Sequence, residues 1–220
     1  MKFNPVIVDL SHFDDVQDWD SVRSFGILGV INKATEGPGM TDKTFAARRK
    51  PARDHDILYG AYHFLRPGNP IAQADHFLEV ALNVAQPDEL LLALDHEDRS
   101  VPLEDAKKWL QRVLEKAGRR AVLYSGFLIK AQLGKRRDPF LAEHRLWLSH
   151  FSSRPVCPPN WPAPWIVHAS GPRSSASWQS AKLPIGKSRH RRRHEGNPVW
   201  RTGYGSGRRN RTRTTTACLP

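Results

Sequence analysis

Along the first 165 residues, short apolar runs alternate with amphipathic stretches. The runs at 6–9 (VIVD), 27–33 (ILGVINK), 58–64 (LYGAYHF), 90–95 (LLLALD), 121–124 (AVLY) and 146–150 (LWLSH) are almost continuously apolar. Strands covered on both faces have that texture, and a parallel sheet flanked by helices is the usual reason for it. Between them, residues 16–24, 43–54, 70–83 and 103–117 have helical spacing. The last is clearest: Leu103, Ala106, Leu110, Val113, Leu114 and Ala117 fall on one face and Gly118 is placed to stop the helix. Pro51 predicts a kink or an early end in the second helix. A seventh strand is expected near 164–168. Strands and helices in βα order predict an α/β fold, an irregular (β/α) TIM-like barrel rather than an open sheet.

The pattern breaks at the end of this region. "SSRPVCPPNWPAPW" is rich in proline, and residues 166–220 have neither period and are rich in Arg, Ser, Thr and Gly. The expected division is a barrel domain over 1–165 and a basic, low-order tail over 166–220. Charge divides at the same place. Residues 1–165 carry 22 Lys and Arg against 21 Asp and Glu, whereas the remainder carries 12 against the single acid Glu195. All but one of the net +12 charges therefore belong to the tail, and the barrel gives no reason to expect a nucleic-acid partner. No apolar run approaches the length of a membrane span, and no signal-peptide pattern opens the chain. Two cysteines, Cys157 and Cys218, are too few for a disulfide framework and match no metal spacing. No internal repeat is present.

The candidate chemistry lies in "LLALDHEDRS", residues 91–100. Asp95 and Glu97 share the parity of one strand face while His96 takes the other. Asp9 ends the first strand in the same way. In a parallel barrel the C-terminal strand ends gather on one face, where catalytic groups collect, so these acids are expected to line one cleft. Crowded carboxylates raise the pKa of at least one member, which supplies the donor and the anion that glycosidic cleavage needs. The plainer alternative is that the acids cap helices or pair with Lys33 and Arg99.

A resemblance sharpens the choice. "VIVDLSHF", "INKATEGPGMTDKTFAARRKPARDHDILYGAYHFLRP", "LALDHED", "VLYSG" and "LWLSHF" resemble, in order and approximate spacing, the strand motifs of the glycoside hydrolase family 25 lysozymes. The similarity runs over about residues 3–165. It implies N-acetylmuramidase activity on peptidoglycan glycan strands, specifically on the β-1,4 bond between N-acetylmuramic acid and N-acetylglucosamine. It makes Glu97 the general acid, with Asp95 and Asp9 orienting or stabilising the sugar at the reacting carbon. The attacking group is either a carboxylate or the substrate's own acetamido group. Tyr62, Phe64, Tyr124 and Trp147 resemble saccharide-contacting aromatics, with barrel core as the alternative for each; the core is favoured for Phe64 and the cleft for the other three. Glu36 in "KATEG" is either a cleft-wall acceptor or a surface charge. His63 and His96 are expected to be buried and hydrogen-bonded. No cofactor or metal is implied, and a monomer is expected.

The sequence departs from that family at its end. Members close with a "WQY"-like strand and an "Asp-x-Asn-x-Phe"-like segment, whereas "PAPWIVHASGP" starts where that strand belongs and then loses the pattern. No aspartate follows Asp138. A barrel incomplete at its C-terminal strand is therefore expected, with activity open to loss, and the tail has the composition that a shifted reading frame in a GC-rich gene would give. Three function classes remain: a muramidase, a wall-saccharide binder of the same fold without turnover, and an anionic-surface or nucleic-acid binder acting through the tail. The missing signal peptide suggests cytoplasmic synthesis followed either by release to the wall, as for an endolysin, or by export along another route.

Overall fold

The computed structural model describes residues 6–150, 156–162, 166–168, 185–187 and 214–217. The chain runs β1 (Val6–Leu10), β2 (Asp14–Val16), α1 (Trp19–Ser24), β3 (Ile27–Glu36), β4 (Met40–Thr41), α2 (Lys43–Asp54), β5 (Leu58–Phe64) and α3 (Pro70–Leu82). It continues through β6 (Leu91–Asp95), α4 (Leu103–Ala117), β7 (Val122–Ser125), α5 (Phe127–Leu133), α6 (Pro139–Ala142) and β8 (Leu146–Ser149). Three short strands follow: β9 (Ile166–His168), β10 (Ile185–Lys187) and β11 (Thr214–Ala217).

Strands β1, β3, β5, β6, β7, β8 and β9 are joined by successive parallel pairings, the expected curled α/β sheet. An eighth parallel strand is absent among the described residues. β11 takes its place and pairs antiparallel with both β9 and β1. The parallel array is thus short at its C-terminal end, as the loss of the closing pattern implies, and the gap is bridged by Thr214–Ala217 from the basic segment. A second part of that segment, β10, pairs with β2. The rest of the expected tail over 166–220 lies outside the described residues.

Alternation along the strands separates two apolar layers. Ile31, Tyr62, Ala93, Val122, Tyr124 and Trp147 pack together inside the barrel, flanked by Ile7, Phe64 and Leu91. The opposite parity, including Val8, Val30, Ala61, Leu92, Leu94, Leu123, Leu146 and Leu148, packs outward against the helices. In that outer layer Trp109 of α4 is fully buried, stacked 5.6 Å from the His63 ring and 5.1 Å from Phe77. His63 is buried as expected, its ring nitrogens bonded to Thr35 Oγ1 at 2.7 Å and to Gln73 Oε1 at 3.0 Å.

Several element ends move for local reasons. The first helix starts at Trp19 rather than Val16, because the Asp18 side chain accepts from the Asp20 and Ser21 amides and so fixes the N-cap. The second runs through Pro51 to Asp54. The carbonyl deprived of its donor belongs to Ala47, which faces solvent, so water can satisfy it. Gly118 ends α4 in the left-handed region at φ 67°, as expected. The short helices α5 and α6 were not anticipated, since seven and four residues are too few to establish a period.

Burial holds the His63 pKa down to about 4 against its ordinary 6.5. His96 and His144 are also lowered by burial. The unfolded chain therefore binds protons that the folded one refuses. Stability is full above about pH 6.5 and declines as pH falls toward 4. The His63 contribution to that decline should be up to about 3 kcal/mol. Chemical denaturation across this range should show a weaker acid dependence in His63→Asn, and an identical slope in the two proteins would refute this origin.

Candidate active site

Because the seven strands are parallel, their C-terminal ends form one rim. Asp9 shares the inward parity of Ile7 on β1, and Asp95 that of Leu91 and Ala93 on β6, so alternation directs both carboxyl groups to the barrel interior at this rim. Registers place Glu36 beside Phe64, Phe64 beside Asp95, Asp95 beside Tyr124, and Tyr124 beside Trp147. One row across five strands thus collects most of the expected site residues. Asp9 reaches the interior from the other side of β3, where it pairs in register with Ile31.

Beside and below Asp95 the interior is filled by aromatic rings, an aromatic floor. Tyr124 and Trp147 meet edge to face with centroids 4.7 Å apart, and the Tyr124 hydroxyl donates to Ser149 Oγ at 3.1 Å. Trp147 is 2%, Tyr124 4% and Tyr62 8% exposed, so these rings are packed into the interior and present little face to solvent. Phe64 is half-buried and carries cations on its ring: Lys33 Nζ at 5.2 Å and the Arg66 guanidinium at 4.5 Å. A Cβ at Gly126 would overlap the Ser149 carbonyl oxygen, so only glycine lets the start of α5 approach this close to the rim.

β6 ends at Asp95, and Glu97 stands two residues beyond it in a half-buried connecting segment. That segment is held on both sides of Glu97. The His96 amide donates to the Tyr124 carbonyl at 2.9 Å, and the Ser125 hydroxyl donates to the His96 carbonyl at 2.7 Å. The His96 ring is buried in the helix layer with Nε2 2.9 Å from Gln132 Oε1, as the opposite parity requires. On the far side, Asp98 Oδ1 accepts from the Ser100 amide and hydroxyl, while Oδ2 accepts from Arg66 at 2.9 Å. The Ser100 hydroxyl first, then its amide, then Arg66 hold the Asp98 carboxyl at about pKa 2.

Glu36 is neither a lone surface charge nor an open acceptor. Lys33 donates to its Oε2 at 2.6 Å, and two Arg66 nitrogens donate to Oε1 at 2.9 and 2.7 Å. Burial raises its pKa, but the two cations outweigh burial and leave it below the ordinary value. Lys33, almost fully buried inside the barrel, thus pairs with Glu36, and Arg99 lies over the Phe127 ring. Arg66 was missed by the sequence reading. It lies two residues past Phe64 in "YHFLRP", just beyond the strand, where alternation no longer indicates direction. Among the described residues no group of three or more His, Cys, Asp or Glu side chains is arranged to hold a metal ion, and no helix is long and apolar enough to cross a membrane.

A family model described as glycosyl hydrolases family 25 matches residues 8–181, continuing past the compositional break near 165. Lysozyme M1 of Streptomyces globisporus is 42% identical over 72 residues, which is 32% of this chain and 24% of that protein. The uncharacterized protein YegX of Escherichia coli K12 is 27% identical over 158 residues, 67% of this chain and 56% of that protein. The chain therefore spans between a quarter and a little over half of these curated relatives. Among solved structures, the bacterial lysozyme from Streptomyces coelicolor is similar with a TM-score of 0.64 at 25% identity, covering 76% of this chain and 84% of that one. A family GH25 lysozyme from Aspergillus fumigatus has a TM-score of 0.66 at 20% identity, over 76% and 88% of the two chains, a likeness of fold.

Hydrogen bonds from Ser100 and Arg66 stabilise the Asp98 carboxylate in the folded chain. Its folded pKa lies below that of the unfolded chain, so its stabilisation is present above about pH 4 and is lost as pH falls through about 2. Ser100→Ala should raise the Asp98 titration midpoint toward the ordinary carboxylate value in a carboxyl-carbon NMR titration. An unmoved midpoint would show that the Ser100 hydroxyl is not the main cause.

Proposed function

The chain belongs to glycosyl hydrolases family 25, and from that premise we propose that it hydrolyses the β-1,4 bond between N-acetylmuramic acid and N-acetylglucosamine in peptidoglycan. The observation that carries the reading is the inward parity of Asp9 and Asp95 on one rim, above the aromatic floor, with Glu97 on the pinned segment that leaves β6. Lysozyme M1 and the autolytic lysozyme of Clostridium acetobutylicum support it by name.

In this reading Glu97 protonates the leaving glycosidic oxygen. Asp95, 5% exposed at the edge of an apolar interior, supplies negative charge where the oxocarbenium-like centre develops, and Asp9 faces it from the other side of the mouth. Displacement at the anomeric carbon is made either by one of these carboxylates or by the 2-acetamido oxygen of the substrate. Tyr62, Tyr124 and Trp147 form the floor that excludes water beneath the sugar, and each buried charge gains strength from that low-dielectric base. Peptidoglycan glycan strands are the partner, acted on by a monomer that is made in the cytoplasm and released to the wall.

One observation favours a second reading, a wall-saccharide binder without turnover. β9 ends on His168, and no acid occurs between Glu143 and Glu195, so the last strand brings no carboxylate to the rim.

Clearing of a peptidoglycan suspension separates the two. The muramidase reading expects the wild type to clear it and Glu97→Gln to be slower by about 10²- to 10⁴-fold, the usual worth of a general acid. Borohydride reduction of the released ends should then label muramic acid. Binding to the walls by both proteins without clearing supports the second reading, and labelled glucosamine ends would contradict the assigned bond.

A further inference from the structure

We propose that Arg66 is a positioning residue that clamps the Glu97-bearing segment to the rim of the barrel, and so sets the place from which the general acid acts. This rests on the muramidase reading for its catalytic consequence, while the clamp itself rests on geometry.

Arg66 joins three parts of the rim. Nε and Nη2 both donate to Glu36 Oε1 at the end of β3, and Nη1 donates to Asp98 Oδ2, one residue from Glu97. The guanidinium plane is further restrained over the Phe64 ring at the end of β5. Its root is equally fixed: the Arg66 amide donates to Gln73 Oε1 at 3.2 Å, and Gln73 Nε2 donates to the Arg66 carbonyl at 2.8 Å. Room for the side chain comes from Gly37, whose φ of +58° favours glycine and where a Cβ would come within 3.3 Å of Arg66 Cβ and Cγ.

The Glu36 end of the clamp is itself anchored inside the barrel, because Lys33 holds Oε2. A chain of alternating charge therefore runs Lys33, Glu36, Arg66, Asp98 from the interior to the loop. His96 already fixes the near side of Glu97, so Arg66 supplies the attachment on the far side. Asp98 alone would keep only its local turn with Ser100.

Arg66 is 46% exposed, and exposed ion pairs add little to global stability. Loss of Arg66 should therefore act on the placement of Glu97 far more than on folding. An error of about 1 Å in a catalytic group costs on the order of 10²-fold in rate.

The test uses the full chain and soluble, uncrosslinked peptidoglycan glycan strands. Arg66→Met and Asp98→Asn should each lower kcat by about 10- to 100-fold, with KM little changed in both and the thermal midpoint little changed in Arg66→Met. The double variant should be no slower than the worse single one, since both remove the same link. Arg66→Lys should recover part of the loss by keeping a cation. Amide hydrogen exchange at Ser100 and Val101, whose amides bond to Asp98, should accelerate in Arg66→Met while exchange in β6 stays as in the wild type. A wild-type rate in Arg66→Met, multiplicative losses in the double variant, or unchanged exchange at Ser100 and Val101 would overturn the clamp. Inactivity of a folded wild type would instead refute the muramidase reading, and the exchange measurement would still decide the clamp.

Discussion

Strand alternation inside a barrel too narrow to leave a pore is the constraint on which everything else depends. Ile31, Tyr62, Ala93, Val122, Tyr124 and Trp147 fill the interior. Inward positions below the rim are therefore closed to water, and a carboxylate there would be costly to keep charged. Acids with inward parity are tolerable only where the filling stops. Asp9 and Asp95 occupy that level near the ends of β1 and β6, Asp9 half-buried and Asp95 5% exposed. The same constraint sends His63 and His96 the other way, into the helix layer, where burial lowers both pKa values and keeps them neutral partners for Gln73 and Gln132.

Much of this was legible in the chain because the parallel strands are nearly pure apolar runs. The six expected runs overlap β1, β3, β5, β6, β7 and β8, and β9 lies within the expected 164–168. The parity of Asp95 against His96 followed from the two-residue repeat. Legibility ended where regular structure ends. Glu97 lies past the last residue of β6, where its neighbours His96 and Asp98 are held by hydrogen bonds from Ser125, Ser100 and Arg66 that no periodicity encodes. The charge chain through Glu36 was equally hidden, since Lys33 and Glu36 stand on either side of the register shift at Lys33/Thr35 in β3, and Arg66 is 30 positions further on.

The C-terminal segment is a different case. Its composition, rich in Arg and Gly and lacking any period, gave no reason to expect pairing, yet Thr214–Ala217 bridges β9 and β1 and Ile185–Lys187 adds to β2. β-branched Thr214, Thr215 and Thr216 suit an extended strand, and two otherwise open sheet edges offer unpaired amides and carbonyls to any strand that reaches them. Backbone pairing of this kind asks little of sequence, which is why composition did not reveal it. The family match up to residue 181 places at least the first part of this segment within the family pattern.

The central claim is that Asp9, Asp95 and Glu97 face one saccharide. Its most direct test is a crystal structure of the Glu97→Gln protein with a muramic-acid-containing peptidoglycan tetrasaccharide. The expected structure has a glycosidic oxygen within hydrogen-bond reach of residue 97, with the adjoining sugar between Asp9 and Asp95 and against Tyr62 and Tyr124. A saccharide seated elsewhere, or Asp9 and Asp95 contacting no common sugar, would contradict it.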